Sequence, residues 1–288
     1  MNKHCLLIGG DNRHKYLSKL LIEQGYTVYC LGMERCIHLP EQAILTQQIP
    51  HEASLIILPL PITKDEKNIF APYSDSPLPI APLFKEIKQH QLVCGGIFHN
   101  EMKHILQQNE TTYFDYAANE QFAINNAIPS AEGAIELAMH NTSHTLCNSS
   151  VCVVGYGKIG KALVSRLLGL GCIVTATARK KRDLQEIERV GATALPTAML
   201  HQAESFDIIF NTVPAMVLDS SVLEKQKSTV LLIDLASKPG GTDFNYAYKR
   251  NMRYIHALSL PAICAPQTAA QNIWRSIQQY INLEEEKQ

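Results

Sequence analysis

A glycine pattern in the second half of the chain has the spacing of a dinucleotide-binding turn. Gly155, Gly157 and Gly160 follow four apolar residues, 151–154, and precede a helical pattern. The first glycine permits a tight turn, the second lets the backbone approach a pyrophosphate, and the third lets the helix pack on the strand. We predict that this turn meets the phosphates with Gly155, Tyr156, Gly157, Lys158, Ile159 and Gly160. The alternative is a glycine turn needed only for packing.

The choice between NAD and NADP is made at the end of the next strand, about 20 residues further on, where a carboxylate would bind the ribose of NAD. No acidic residue occurs there before Asp183, whereas Thr177, Arg179 and Lys180 can all donate hydrogen bonds to a 2′-phosphate. The sequence therefore favours NADP as the cofactor. The alternative, a solvated basic start to a helix, suits residues 181–182 better than Arg179.

Polar residues also follow the two later strands of this half. The first group lies where the nicotinamide half of the cofactor passes, and the start of the second group continues that contact. The predicted cofactor residues are Asn211, Thr212, Val213 and Pro214, then Leu235, Ala236 and Ser237. Consecutive exposed N–H groups beside a lysine would bind a carboxylate. The predicted carboxylate-binding residues are Lys238, Pro239, Gly240, Gly241 and Thr242. The alternative is a tight turn before a helix at Asp243.

These residues need a scaffold, and an internal repeat indicates which one. Gly9 and Gly25 are separated by the same interval as Gly155 and Gly171, and each pair lies between two apolar runs. At the positions of the later two motif glycines, the first copy has Asp11 and His14. We therefore predict that the first copy holds no dinucleotide.

Apolar runs that alternate with helical patterns are typical of parallel sheets covered on both faces. The predicted fold class is α/β, with two doubly wound Rossmann-like domains and a cleft between them. We expect a first domain over residues 1–128, a bridging helix over 129–147, and an NADP-binding domain over 148–267. A C-terminal helix over 268–284 returns to the first domain or packs on the second. Ser130 is the predicted N-cap of the bridging helix, and Glu132 suits its positive end.

Composition excludes several classes of function. Lys plus Arg number 26 against 27 Asp plus Glu, which gives no electrostatic footprint for nucleic acid or an anionic membrane. No apolar run is long enough for a membrane span. The eight cysteines contain no C-x-x-C pair, which indicates reduced core residues of a cytoplasmic protein and no metal site. His140 and His144 are expected to be solvated. The charged fraction of 18% is low, and we expect burial against a second domain or a homo-oligomer partner.

Six segments of the sequence together match a known pattern: residues 8–11 with Arg13, 125–134, 154–160, 211–214, 233–244 and 260–261. On these segments the sequence resembles the A-subunit family of the dipicolinate synthases of endospore-forming bacteria, along essentially its whole length. The resemblance implies the architecture of formate/glycerate and alanine dehydrogenases. It implies NADP-dependent oxidation of a dihydrodipicolinate-type heterocycle to dipicolinate (pyridine-2,6-dicarboxylate) for spore formation, in the mother-cell cytoplasm. A flavoprotein-like B subunit is the implied partner.

Two substrate carboxylates would need cationic or N–H partners, and Lys238 and Arg13 are the candidates for substrate contact and catalysis. Ser130 and Glu132 are further substrate-binding candidates. No catalytic base is assigned, because Gln267 stands where related dehydrogenases have a histidine, and Gln cannot titrate. Ala262 and Ala270 also depart from the family pattern. The alternatives are an NADP-dependent 2-hydroxy acid or amino acid dehydrogenase and a non-catalytic NADPH-binding scaffold protein.

Overall fold

The structure is a computed structural model that describes residues 3–286. The chain forms two compact units. Unit 1 contains the chain up to Asn125 and again from Ala265 onward, and unit 2 contains Asn126–Cys264.

Unit 1 is built on a six-stranded parallel sheet. Its strands in chain order are β1 (His4–Ile8), β2 (Thr27–Leu31), β3 (Ile44–Thr46), β4 (Leu55–Ile57), β5 (Leu92–Gly95) and β6 (Tyr113–Asp115). In space the order is β3-β2-β1-β4-β5-β6. The chain therefore adds β2 and β3 on one side of β1 and then β4, β5 and β6 on the other side, which is the doubly wound arrangement.

Unit 2 repeats this topology. Its strands are β7 (Ser150–Val154), β8 (Ile173–Ala178), β9 (Thr193–Pro196), β10 (Ile208–Asn211), β11 (Leu231–Asp234) and β12 (Arg253–His256). The sheet order is β12-β11-β10-β7-β8-β9, again with every pair parallel. The carboxyl ends of β7 and β10 meet where the strand order reverses, which is the edge where such sheets bind ligands.

Helices cover the sheets on both faces. In chain order they are α1 (Asn12–Glu23), α2 (Ile80–Glu86), α3 (Asn100–Gln108), α4 (Glu120–Asn141), α5 (Lys158–Gly169), α6 (Lys181–Arg189), α7 (Ser220–Glu224), α8 (Phe244–Lys249), α9 (Leu260–Cys264) and α10 (Pro266–Glu285). Two 3-10 helices, Tyr116–Ala118 and Thr197–Gln202, lie between them. None of the helices in residues 3–286 is long and apolar enough to span a membrane.

The apolar runs are continuous because the side chains of each strand point alternately to two faces of the sheet, and both faces are buried. In β1, Leu7 packs with Leu17 of α1 on one face, while Leu6 packs with Phe84 of α2 on the other. Successive side chains of a strand point to opposite faces, and both faces here are covered. The two-domain α/β fold predicted from the repeat is thus the observed one.

The C-terminal helix α10 packs in unit 1 against α1. Trp274 donates from Nε1 to Gln24 Oε1 at 2.7 Å, and its ring meets Tyr26 edge-on at 5.5 Å. Ile273 and Ile277 are buried in the same core. The last stretch of chain is therefore part of the first unit.

The predicted start of the bridging helix, residue 129, lies inside a helix that begins earlier in the chain. Helix α4 starts at Glu120, with Asn119 accepting the Phe122 N–H at 2.9 Å as its cap. Pro129 lies inside the helix, and Ser130 donates to Asn126 O at 2.8 Å instead of capping. A Pro-Ser pair is common at a helix start, but here Asn119 caps the helix ten residues before Pro129.

Most of the cysteines are buried, as predicted. The correction concerns Cys147, which is exposed, and Cys264, which is half-buried.

Candidate functional site

The glycine turn after β7 is shaped by two of its three glycines. Gly155 has φ +95°, and a Cβ there would lie 2.6 Å from Thr212 Oγ1. A Cβ on Gly160 would collide with the carbonyl of Gly155. Gly157 differs, because its φ of −79° suits any residue and a Cβ would meet no described heavy atom within 4 Å. The protein's own packing therefore explains Gly155 and Gly160 but leaves Gly157 unexplained.

Helix α5 begins directly at this turn. Its N-cap is Gly157, which makes no side-chain capping bond, and its first turn contains no acidic residue. Backbone N–H groups at a helix start carry a partial positive charge, so an uncapped start favours an anion. The space beside Gly157 and the start of α5 together fit a pyrophosphate.

Two threonines hold the turn from the neighbouring strands. Thr177 of β8 accepts the Gly155 N–H with Oγ1 at 3.1 Å, and Thr212 donates from Oγ1 to Val154 O at 2.9 Å. Thr177 is fully buried, and its hydroxyl also lies 3.4 Å from Thr197 Oγ1. The prediction that Thr177 binds a 2′-phosphate is therefore wrong, because its hydroxyl is used inside the turn.

Arg179 and Lys180 follow β8 and are exposed. Neither side chain has a hydrogen bond or ion pair within residues 3–286. The last strand residue, Ala178, is small and buried, where an NAD enzyme would have its carboxylate. Two uncommitted cations therefore lie at the carboxyl end of the strand beside the glycine turn.

The other residues of the turn contribute mainly backbone. The Tyr156 ring is buried in the core of unit 2, and burial raises the pKa of its hydroxyl. The Lys161 ammonium lies over that ring, 5.1 Å from its centroid. Lys158 is exposed and Ile159 is half-buried.

The loop after β11 uses its N–H groups internally. Gly240 donates to Ser237 O at 2.9 Å, and Gly241 donates to Asp234 Oδ2 at 3.0 Å. Thr242 is buried, and its hydroxyl lies 2.6 Å from the same oxygen of Asp234. The predicted carboxylate site on Gly240, Gly241 and Thr242 is therefore wrong, because the Gly240 N–H is used by Ser237 O and the other two donors are used by the buried Asp234 carboxylate.

What the loop presents outward is a short exposed segment of Ser237, Lys238 and Pro239. The Lys238 ammonium forms no hydrogen bond or ion pair with the described residues. Leu235 is half-buried and Ala236 is buried. Lys238 thus remains as a cation that can meet a ligand carboxylate.

The loop after β10 lies beside it. Asn211 is fully buried, so the prediction that its side chain contacts a cofactor is wrong. Thr212 and Val213 are half-buried, and Pro214 is exposed.

In unit 1 the corresponding turn after β1 is closed. Asp11 caps α1 by accepting the Arg13 N–H at 3.1 Å. A Cβ on Gly10 would collide with the His14 imidazole, which is buried beside it. A carboxylate and an imidazole therefore occupy the space that a phosphate would need.

Arg13 is committed to this closed turn. Its Nε donates to Asp11 Oδ1 at 2.9 Å, Nη2 donates to Asp11 Oδ2 at 2.8 Å, and Nη2 also donates to Leu60 O. The side chain is 6% exposed. The prediction that Arg13 presents its charge to a substrate is not supported, because Asp11 neutralises it.

Ser130 and Glu132 do not join the site either. Ser130 is buried within α4. Glu132 forms an ion pair of 3.1 Å with Arg166, in the last turn of α5 and so at the opposite end of that helix from Gly157.

Three departures from the family pattern lie outside the glycine turn and its loops. Ala262 and Ala270 are buried, and Gln267 is exposed in the first turn of α10. The predicted solvated histidines, His140 and His144, are exposed.

Comparison with known proteins gives the family. Residues 4–117 match the model of the N-terminal domain of the dipicolinate synthase A-subunit, and residues 123–237 match the NAD binding domain of D-isomer specific 2-hydroxyacid dehydrogenases. The chain is 32% identical over 270 residues to the dipicolinate synthase A-subunit of Bacillus subtilis strain 168, covering 92% of this chain and 91% of that one. This chain belongs to the dipicolinate synthase A-subunit family.

Solved structures of that family have the same fold. The A chain of dipicolinate synthase from Bacillus subtilis superposes with a TM-score of 0.87 at 29% identity, covering 100% of this chain and 98% of that one. The A-subunit from Bacillus halodurans gives 0.87 at 27% identity, with coverages of 97% and 98%. The matched NAD-binding domain includes the glycine turn, Arg179 and the loop after β10. A nicotinamide-binding domain of the dehydrogenase kind therefore forms most of unit 2.

The buried histidine of unit 1 predicts a pH dependence of stability. Burial lowers the pKa of His14 from 6.5 to about 4. The unfolded chain therefore takes up a proton that the folded chain refuses, so the free energy of unfolding falls as pH drops from 6.5 towards 4. We expect a loss of up to about 3 kcal/mol from this residue. Urea unfolding at several pH values should show that the free energy of unfolding depends less steeply on pH in H14N than in the unaltered protein.

The matched control is H140N, which removes an exposed histidine and should keep the wild-type slope. Burial opposes ionisation of Asp11, but the hydrogen bond and charge of Arg13 lower its pKa below the usual value. Protonation of Asp11 therefore lowers the free energy of unfolding mainly at pH values below the range in which His14 acts. Equal slopes for H14N and the unaltered protein would show that His14 takes up its proton over the same pH range in the folded and unfolded chains, which would contradict the lowered pKa.

Proposed function

We propose that unit 2 binds NADP and that the chain oxidises a dihydrodipicolinate-type heterocycle to pyridine-2,6-dicarboxylate. The observation that carries the first part is the contrast between the two turns. Helix α5 begins uncapped beside the open space at Gly157, whereas α1 is capped by Asp11 and covered by His14. One copy can receive an anion and the other supplies its own.

Each end of the cofactor would have its own residues. The backbone at the start of α5 binds the pyrophosphate, and Arg179 with Lys180 binds the 2′-phosphate. An Arg guanidinium suits phosphate because its planar donors match two oxygens at once. The bound cofactor supplies a hydride acceptor, and aromatisation of the substrate ring releases a proton.

Substrate binding is assigned to the exposed segment of the loop after β11. The exposed Lys238 ammonium offers a charged donor to one ring carboxylate, and the preceding residue, Ser237, is also exposed. Of the two cationic candidates, Lys238 is retained and Arg13 is not, since Arg13 is neutralised by Asp11. No residue is assigned as the proton acceptor.

A second protein is part of the proposal. Two of the relatives named above are designated A-subunits of dipicolinate synthase, a name that implies a further component. We infer that this chain works with a partner protein in the same oxidation.

The reaction is tested by absorbance at the reduced-nicotinamide band. The purified chain is mixed with NADP and freshly generated dihydrodipicolinate, with and without the partner protein. We expect growth of the band, with NADP preferred over NAD. An absorbance that stays flat even with the partner present would reduce unit 2 to a cofactor-binding scaffold.

A 2-hydroxy acid dehydrogenase is the second candidate, because the model matched by residues 123–237 takes its name from those enzymes. The same assay with D-lactate or glycerate separates the two. Residues 4–117 match a different family from those enzymes, and this favours the dicarboxylate.

Gly157 allows a sharp test of the phosphate site. A methyl group there would meet no heavy atom of residues 3–286 within 4 Å but would enter the space assigned to the pyrophosphate. We expect G157A to weaken NADPH binding about tenfold or more, with a melting temperature within about 1 °C of the parent.

The paired variant is G160A, whose methyl group collides with the Gly155 carbonyl and should destabilise unit 2 by about 1–3 kcal/mol. Fluorescence titration and thermal unfolding give both quantities. Unchanged NADPH affinity in G157A would place the phosphates elsewhere.

Cofactor preference is tested at Arg179. R179Q removes a charge without adding a repulsive one, so NADPH affinity should fall at least about tenfold while NADH affinity stays the same. R182Q is the matched control, because Arg182 is also exposed but lies one residue inside α6. An equal loss in both variants would mean that only the general basic charge of this segment matters.

A further inference from the structure

A buried polar cluster lies under the two loops that follow β10 and β11. It consists of Asn211, Asp234 and Thr242, which are 0%, 1% and 3% exposed. Buried polar groups of this kind are costly unless every hydrogen bond is made. The cluster must therefore be satisfied by hydrogen bonds from the residues around it.

The Asp234 carboxylate is fully hydrogen-bonded. Oδ1 accepts from Asn211 Nδ2 at 3.0 Å and from the Ala236 N–H at 2.9 Å. Oδ2 accepts from the Gly241 N–H at 3.0 Å and from Thr242 Oγ1 at 2.6 Å. Among residues 3–286 it has no cationic partner. Its charge is therefore balanced by four donors, and three of them belong to the loop after β11.

The fourth donor connects this loop to its neighbour. Asn211 Oδ1 accepts the Val213 N–H at 3.0 Å, and Asn211 Nδ2 also donates to Val213 O at 3.1 Å. The Gly241 carbonyl accepts the N–H groups of Val217 at 3.0 Å and Leu218 at 2.9 Å. The loops after β10 and β11 are therefore joined by the same buried hydrogen bonds, and a shift of one loop would move the other.

Gly241 is required for this joint. A Cβ there would lie 2.5 Å from Ala215 O and 2.5 Å from Asn211 Nδ2. A side chain of any size would separate the loops.

The exposed segment with Lys238 is fixed at both of its ends. On one side, Ala236 is held by Asp234 through its N–H, and its carbonyl lies 3.0 Å from His256 Nε2. On the other side, Gly241 is held by the second oxygen of Asp234. One carboxylate thus anchors both ends of the segment that carries the ammonium.

The fold does not require this carboxylate, because unit 1 builds the same sheet without it. By strand register, Leu58 and Gly95 of unit 1 hold the positions of Asn211 and Asp234. An apolar residue and a glycine are sufficient there. The polar pair is specific to the unit that carries Lys238.

We propose that Asp234 is a positioning residue that sets the place of the Lys238 ammonium for a substrate carboxylate. The proposal rests on the proposed function, in which Lys238 binds that carboxylate. A preset ammonium binds more tightly because less motion is lost on binding. Asp234 itself touches neither substrate nor cofactor.

The test compares D234N, K238M and the double variant, with pyridine-2,6-dicarboxylate as the probe in the presence of NADPH. D234N replaces Oδ2 by an amide nitrogen, which cannot accept from Gly241 or Thr242. We expect D234N to weaken dicarboxylate binding about tenfold and to change NADPH affinity less than about twofold. The double variant should bind no more weakly than K238M alone, because both changes act through one ammonium.

A milder pair covers the case in which D234N fails to fold. T242V removes one donor to Asp234 and should weaken dicarboxylate binding about threefold, while T242S keeps the hydroxyl and should match the parent. D207N is the control, since Asp207 accepts the Ser150 N–H at the amino edge of the same sheet. It should lower the melting temperature and leave both affinities unchanged.

Additive losses in the double variant, or parent-like dicarboxylate binding by D234N and T242V, would overturn the role of Asp234. If the unaltered protein binds no dicarboxylate, the proposed function fails first, and the positioning role fails with it. The two failures are distinguished because the first is seen in the unaltered protein and the second only in the variants.

Discussion

The start of helix α5 is the constraint on which the rest of unit 2 depends. A helix N-terminus must find acceptors for its first N–H groups, and here the N-cap is a glycine that offers none from a side chain. The glycine turn directs this end of the helix to the carboxyl edge of the sheet. Thr177 and Thr212 hold the turn in place, and the uncapped end makes an anion the complementary ligand.

Unit 1 shows the alternative outcome of the same topology. Its first turn has Asp11 and His14 where unit 2 has Gly157 and Gly160. The carboxylate caps α1, pairs with Arg13 and leaves no demand for an external anion. One arrangement of strand, turn and helix therefore suits a ligand site in one unit and internal structure in the other.

The fold could be predicted from the sequence because it depends on patterns that repeat. Apolar runs, the paired glycines and the helical spacing each indicate the same doubly wound sheets. The site was harder to predict, because a polar residue at a strand end can face a ligand or a neighbouring loop. Thr177, Gly240 and Gly241 all lie at the expected edge, yet their hydrogen-bonding groups are used inside the protein.

Asp234 illustrates the same limit from the other side. It closes a buried strand, and the sequence alone indicates an exposed polar loop. The signal was present, since two glycines and a threonine follow within eight residues and can all approach one carboxylate. Only the fold shows that the carboxylate points into the protein and holds two loops together.

Backbone hydrogen exchange with and without NADPH tests the central claim most directly, because it reads both turns of the same molecule at once. Residues 155–160 should become protected on cofactor binding, and residues 9–14 should exchange at the same rate in both samples. Protection of residues 9–14, or no protection at either turn at saturating NADPH, would contradict the assignment of the cofactor to unit 2.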